Sequence, residues 1–138
     1  MTTSRTKRCK DCGPESKRPA PHPGPRCASH HRAIRKARKE ASHASWVLNT
    51  YGLALGQYDE LKAYQNGTCA ICQRATGATK KLAVDHDHET GYVRGLLCGP
   101  CNGMLGTARD DVEFFRRAVE YLIEPPAFRV IGMVKPSE

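Results

Sequence analysis

A chain of 138 residues with 7% aromatic residues and a formal net charge of +8 is one small domain, or one domain with an appendage, built on a thin apolar core. The N-terminal run Met1-Thr2-Thr3-Ser4-Arg5-Thr6-Lys7-Arg8 lacks an apolar h-region, and no stretch approaches the roughly 18 consecutive apolar residues of a membrane span. The expectation is a soluble, cytoplasmic chain with no membrane contact, in a reducing compartment that keeps thiols available for metal.

The charge is uneven. Residues 1–50 carry 12 Lys and Arg against 3 Asp and Glu, whereas residues 51–138 carry 10 against 11. A polyanion, DNA above all, is the expected partner of the basic half, through sequence-independent neutralisation of phosphates.

Six of the seven cysteines fall in C-x-x-C pairs, Cys9/Cys12, Cys69/Cys72 and Cys98/Cys101, too close for ordinary structural disulfides within each pair. Metal ligation is the reading they favour. In residues 1–31, Cys9 and Cys12 are followed by a loop with Pro19, Pro21, Pro23, Gly24 and Pro25, then by Cys27-Ala28-Ser29-His30-His31. Prolines cannot sit inside a helix, so this segment is predicted to be an irregular loop closed by zinc on Cys9, Cys12, Cys27 and His30, with His31 the alternative fourth ligand.

Residues 32–50 form the next expected segment. From Arg32 to Trp46 the chain is rich in Ala, Arg, Lys and Glu without Pro or Gly, which predicts a helix. Its apolar line of Ile34 and alanines buries little, so Arg32, Arg35, Lys36, Arg38 and Lys39 are candidate phosphate contacts. Tyr51-Gly52 should end it. A short amphipathic helix from Gly56 to Gln65, with Tyr58, Leu61 and Tyr64 inward, should stop at Asn66-Gly67.

After Cys72 a polar loop leads to Leu82-Ala83-Val84, a turn at Glu89-Thr90-Gly91, and Tyr92-Val93-Arg94-Gly95-Leu96-Leu97, the pattern of a β-hairpin. A short helix is predicted from Cys101 to Gly106. Asp110-Asp111-Val112-Glu113 resembles a capping box, and Val112, Phe115, Val119 and Leu122 make a stripe expected to face the core before Pro125-Pro126 stops the helix. Residues 127–138 read as a tail.

The chemistry concentrates on the hairpin. Cys69, Cys72, Cys98 and Cys101 make a closed four-thiolate zinc set, a structural site without an open coordination position. Asp85 and Asn102 offer hard oxygen donors suited to Mg²⁺ or Mn²⁺, and His86 can act as general base toward water. In an extended strand Asp85 and His86 would face opposite ways, so this reading demands a bend or bulge there. His88 shares the side of His86 and is a second candidate for catalysis, and Arg94 is a candidate phosphate clamp.

These motifs, Cys69-Ala70-Ile71-Cys72, Val84-Asp85-His86-Asp87-His88, Val93-Arg94-Gly95-Leu96-Leu97-Cys98 and Cys101-Asn102, resemble those of the recombination endonuclease VII family of HNH nucleases found in phages. The resemblance runs from about Tyr58 to Pro126. It implies an α+β, zinc-stabilised fold with a ββα-metal (His-Me finger, treble-clef) core at residues 51–126. It also implies zinc on the four cysteines, a divalent ion on Asp85 and Asn102, His86 as general base, and nicking or junction-resolving hydrolysis of DNA. A homodimer and phage DNA-processing proteins are further partners consistent with it, in the host cytoplasm. The alternative from the residues themselves is a non-catalytic nucleic-acid-binding module with two zincs.

Overall fold

In the computed structural model, described for residues 7–20 and 24–135, the chain divides into two compact units, Met1–Tyr58 and Asp59–Glu138. It is a small α+β protein with a two-stranded sheet. Arg5, Pro21, Pro23 and the last three residues of the predicted tail lie outside the described residues.

The first unit is a looped knuckle followed by a long helix, α1 (Ala28–Tyr51). The knuckle is held by an isolated antiparallel bridge between Arg8 and Pro19 and by the Lys10 amide on the Pro25 carbonyl at 2.7 Å. Helix α1 begins four residues before the Arg32 start predicted from composition, because Cys27, in extended conformation, serves as its N-cap. It runs past Trp46 and ends where predicted, with Gly52 at φ 72° donating its amide to the Leu48 carbonyl. Among its residues only Val47 is buried, so the helix is largely a solvated rod. His43 meets Tyr58 edge-on at 4.8 Å, and Trp46 meets Tyr51 at 5.4 Å.

Helix α2 (Gln57–Tyr64) buries Tyr58 and half-buries Leu61, but Tyr64 is 87% exposed and does not turn inward. Strands β1 (Ala83–His86) and β2 (Val93–Leu97) pair antiparallel, followed at once by α3 (Gly99–Thr107), which packs on β1. Helix α3 starts two residues before the predicted Cys101, with Cys98 as extended N-cap and Pro100 in the first turn, where a missing amide costs nothing. The core of this unit is Cys69, Leu82, Val84, Leu96, Leu97, Cys101 and Ala108.

Helix α4 (Val112–Ile123) is capped by Asp111, whose carboxylate accepts the Glu113 amide at 2.8 Å. Its apolar stripe is not core: Val112, Val119 and Leu122 are exposed, Phe115 is half-buried, and no α4 residue is buried. Helical periodicity identifies an apolar face without identifying a cover, and among the described residues of this unit nothing buries it. The predicted tail begins with a further short helix, α5 (Pro126–Val130), since Pro125 pushes Glu124 out of helical conformation and Pro126 suits a first helical turn.

Candidate functional site

Two sets of four ligand atoms assemble, each within 4.8 Å of one another: Cys9, Cys12, Cys27 and His30, and Cys69, Cys72, Cys98 and Cys101. All seven cysteines are free thiols rather than disulfides. A tetrahedral zinc with Zn–S bonds of about 2.3 Å has a sulfur-to-sulfur edge of about 3.8 Å. Cys12 to Cys27 and Cys72 to Cys98 both measure 3.8 Å between sulfurs. In the first set His30 Nδ1 lies 3.3 Å from Cys9 Sγ and 3.4 Å from Cys12 and Cys27 Sγ, so His30, not His31, belongs to it. Both sets fit zinc and could hold one ion each.

Sulfur-directed donors prepare each set. The Ser29 hydroxyl, 3.2 Å from Cys27 Sγ, and then the His30 amide lower the Cys27 thiol to about 5. The Ala75 and Arg74 amides lower Cys72 to about 6. Burial, and after it the neighbouring sulfurs, push Cys101 up to about 12, because four thiolates crowd one small volume. A bound cation is what allows all four to ionise together.

The sheet between the second set's two pairs is irregular at one place. Ala83, Val84 and Asp85 pair with Leu97, Leu96 and Gly95, but His86 pairs with Val93, leaving Arg94 as the extra residue of a bulge. The irregularity therefore lies opposite the Asp85-His86 dipeptide, with its extra residue on β2 rather than on the strand that carries the pair. In regular register Arg94 would sit opposite His86; instead its guanidinium forks onto Asp85, Nε to Oδ2 at 2.7 Å and Nη2 to Oδ1 at 3.0 Å. Nη2 also reaches Asp110 Oδ1 at 3.0 Å. These two carboxylates, Asp85 first, hold the Arg94 guanidinium protonated well beyond its ordinary range.

Asp85 is the buried charged side chain of the described residues, 7% exposed. His86 is half-buried and His88 exposed, their rings 4.9 Å apart on the same side. Asp87 closes the hairpin loop: its carboxylate accepts the Glu89 and Thr90 amides at 2.9 and 2.7 Å, which lowers its pKa. Asn102 lies in the first part of α3, half-buried, its amide on the Cys98 carbonyl at 3.0 Å. Arg32, Arg35, Lys36, Arg38 and Lys39 are all exposed along α1, in the other unit. Composition missed Asp110, which read only as a neighbour of the cap, and Gln65. The Gln65 carboxamide accepts the Leu96 amide and donates to the Leu96 carbonyl, both at 2.8 Å, bracing β2.

A small α+β protein with two Cys/His clusters that could hold zinc, the second of them bracketing a bulged hairpin, is thus the class. The family model of recombination endonuclease VII matches residues 44–124. The chain belongs to that family, which is one of nucleases. It is 55% identical over 130 residues to the Gene 59 protein of Mycobacterium phage L5, covering 91% of this chain and 79% of that protein. It is 52% identical over 130 residues to the Gene 59 protein of Mycobacterium phage D29, with the same coverage. No solved structure matches the chain at a significant level. Among the described residues, no helix is long and apolar enough to cross a membrane.

Proposed function

We propose that the chain is a metal-dependent DNA endonuclease of phage type, with β1, β2 and α3 as the ββα-metal core of an HNH enzyme. The observation that carries this reading is the register break between Asp85 and His86, in a chain of a nuclease family. The bulge residue Arg94 grips the Asp85 carboxylate from β2, and His86 is the last residue of β1, where strand alternation stops, so the adjacent carboxylate and imidazole can serve one reacting centre.

Asp85 and the carboxamide oxygen of Asn102 would hold one Mg²⁺ or Mn²⁺. The donor set fits: both are hard oxygens, and the Arg94 fork uses one acceptor site on each Asp85 oxygen and leaves the others. When bound, such an ion supplies Lewis acidity at the scissile phosphate and stabilises the leaving oxygen. His86 takes the proton from the attacking water as general base. His88 orients that ring or touches phosphate. The exposed cations of α1 neutralise backbone phosphates without reading bases.

In this reading residues 1–31 are a zinc knuckle, 32–50 a basic helix, 51–126 the nuclease domain and 127–138 an appendage. The enzyme works in the host cytoplasm, nicks DNA or resolves junctions, and is compatible with a homodimer and with phage DNA-processing partners. The test is cleavage of linear, nicked and four-way DNA by the zinc-loaded chain with and without Mg²⁺. The expected result is Mg²⁺-dependent strand scission, reduced about 10²- to 10⁴-fold in His86→Ala with DNA affinity retained. Binding without cleavage at any Mg²⁺ or Mn²⁺ concentration would instead identify a non-catalytic double-zinc binding module.

A further inference from the structure

Arg94 is bound at two sides by carboxylates of its own chain, Asp85 on the strand and Asp110 in the turn after α3. Three local features build this arrangement. The bulge frees Arg94 from its place opposite His86 and aims it at Asp85. The two-point fork fixes the plane of the Asp85 carboxylate, as one contact would not. Arg109 and Asp110 are consecutive left-handed residues, φ 53° and 56°, a conformation that Asp tolerates well. The amide of Asp110 is anchored on the Leu105 carbonyl at 3.0 Å, so its side chain is delivered to Arg94 by the end of α3.

The charges decide what the trio does. Asp85 with Arg94 alone is a neutral pair, which has little attraction for a dication. Asp110 returns the group to one net negative charge while leaving the fork in place. Asp85 is mostly buried and Asp110 a quarter exposed, so the added charge acts through a partly low-dielectric path.

We infer that Asp110 and Arg94 are positioning residues that set the divalent-ion affinity of Asp85, Arg94 lowering it and orienting the carboxylate, and Asp110 restoring it. The inference rests on the reading of Asp85 as an ion ligand. It predicts opposite signs for two neighbouring substitutions, which a merely structural trio would not give.

The test is Mn²⁺ binding to the zinc-loaded full chain, followed by calorimetry or by the spin-resonance signal of free Mn²⁺ at low ionic strength. Asp110→Asn should weaken binding on the order of five- to tenfold, and Arg94→Gln should tighten it by a similar factor. Asp110→Glu, which keeps the charge, should stay near wild type. If Asp85→Ala leaves the Mn²⁺ isotherm unchanged, the ligand reading fails and the inference falls with it. If Asp85→Ala removes the site but Asp110→Asn is unchanged, or Asp110→Glu is as weak as Asp110→Asn, the inference alone is overturned. Zinc content and melting temperature identify any loss of fold in Arg94→Gln; the Asn and Glu variants of Asp110 then decide the question by themselves.

Discussion

The two ligand clusters have nearly the same dimensions, yet they organise their surroundings differently. The Cys9–Cys12–Cys27–His30 set closes a proline-rich loop onto the start of one long, solvated helix, in a unit where, among the described residues, Val47 and Tyr58 are the buried apolar side chains beyond the cysteines. The Cys69–Cys72–Cys98–Cys101 set brackets a hairpin whose own core includes Leu82, Val84, Leu96 and Leu97. In the first unit, a metal on this set would replace a core. In the second it would be added to one, and would tie a loop of 25 residues, Gln73 to Leu97, to the helix that carries Asn102.

The largest effect should come from breaking the second set. Structural zinc contributes on the order of 10–16 kcal/mol in small zinc peptides, more than a domain of this size can lose. Cys98→Ser or Cys101→Ser should therefore abolish cleavage and the cooperative unfolding transition, measured by calorimetry alongside elemental zinc analysis. Full activity with one zinc missing from this set would reverse the assignment of structural role.

Cys9→Ser or Cys27→Ser should act more narrowly. One of two zinc ions per chain should be lost, the N-terminal amide resonances should collapse, and those of the hairpin should stay dispersed. Equal collapse of both regions would show that the two units fold as one. A smaller effect is expected from making Arg35, Lys36, Arg38 and Lys39 neutral together: the slope of log affinity for DNA against log salt should flatten by roughly 3 to 4, with both zincs retained. An unchanged slope would mean that this helix faces something other than phosphate.

The smallest change sharpens the packing side of the comparison. A Cβ at Gly95 would lie 3.2 Å from Gln65 Oε1, tighter than ordinary contact, so Gly95→Ala should push the carboxamide off Leu96. The expected cost is about 1 kcal/mol, read as a lower melting temperature without zinc loss. No shift in melting would show that Gln65 adjusts freely.

Cysteine spacing made both clusters legible, since C-x-x-C and C-x-x-H knuckles bring ligands together by local geometry alone. The alternation around Glu89-Thr90-Gly91 made the hairpin legible for the same reason. What could not be read depended on distant partners. Val112, Val119 and Leu122 have helical spacing whether or not another layer covers them. Asp110 is 16 residues from Arg94, and their contact follows from a bulge and two left-handed residues that no residue type announces. The start of α1 was misplaced because Ala28-Ser29-His30-His31 is unremarkable as helix sequence, while Cys27, itself one of the candidate ligands, supplies an extended N-cap.

The Gln65 clasp has a consequence for how this chain behaves in a crowd. A two-stranded sheet has two open edges, and β2 would present the amide and carbonyl of Leu96 to any passing strand. Here one carboxamide reproduces the donor and acceptor of a neighbouring strand's peptide, and the Ala70 amide adds a second contact to the same carbonyl at 3.1 Å. A single side chain thus imitates one residue of a third strand. Because an imitation of that length cannot propagate, the edge is closed at Leu96 without becoming a template for self-assembly.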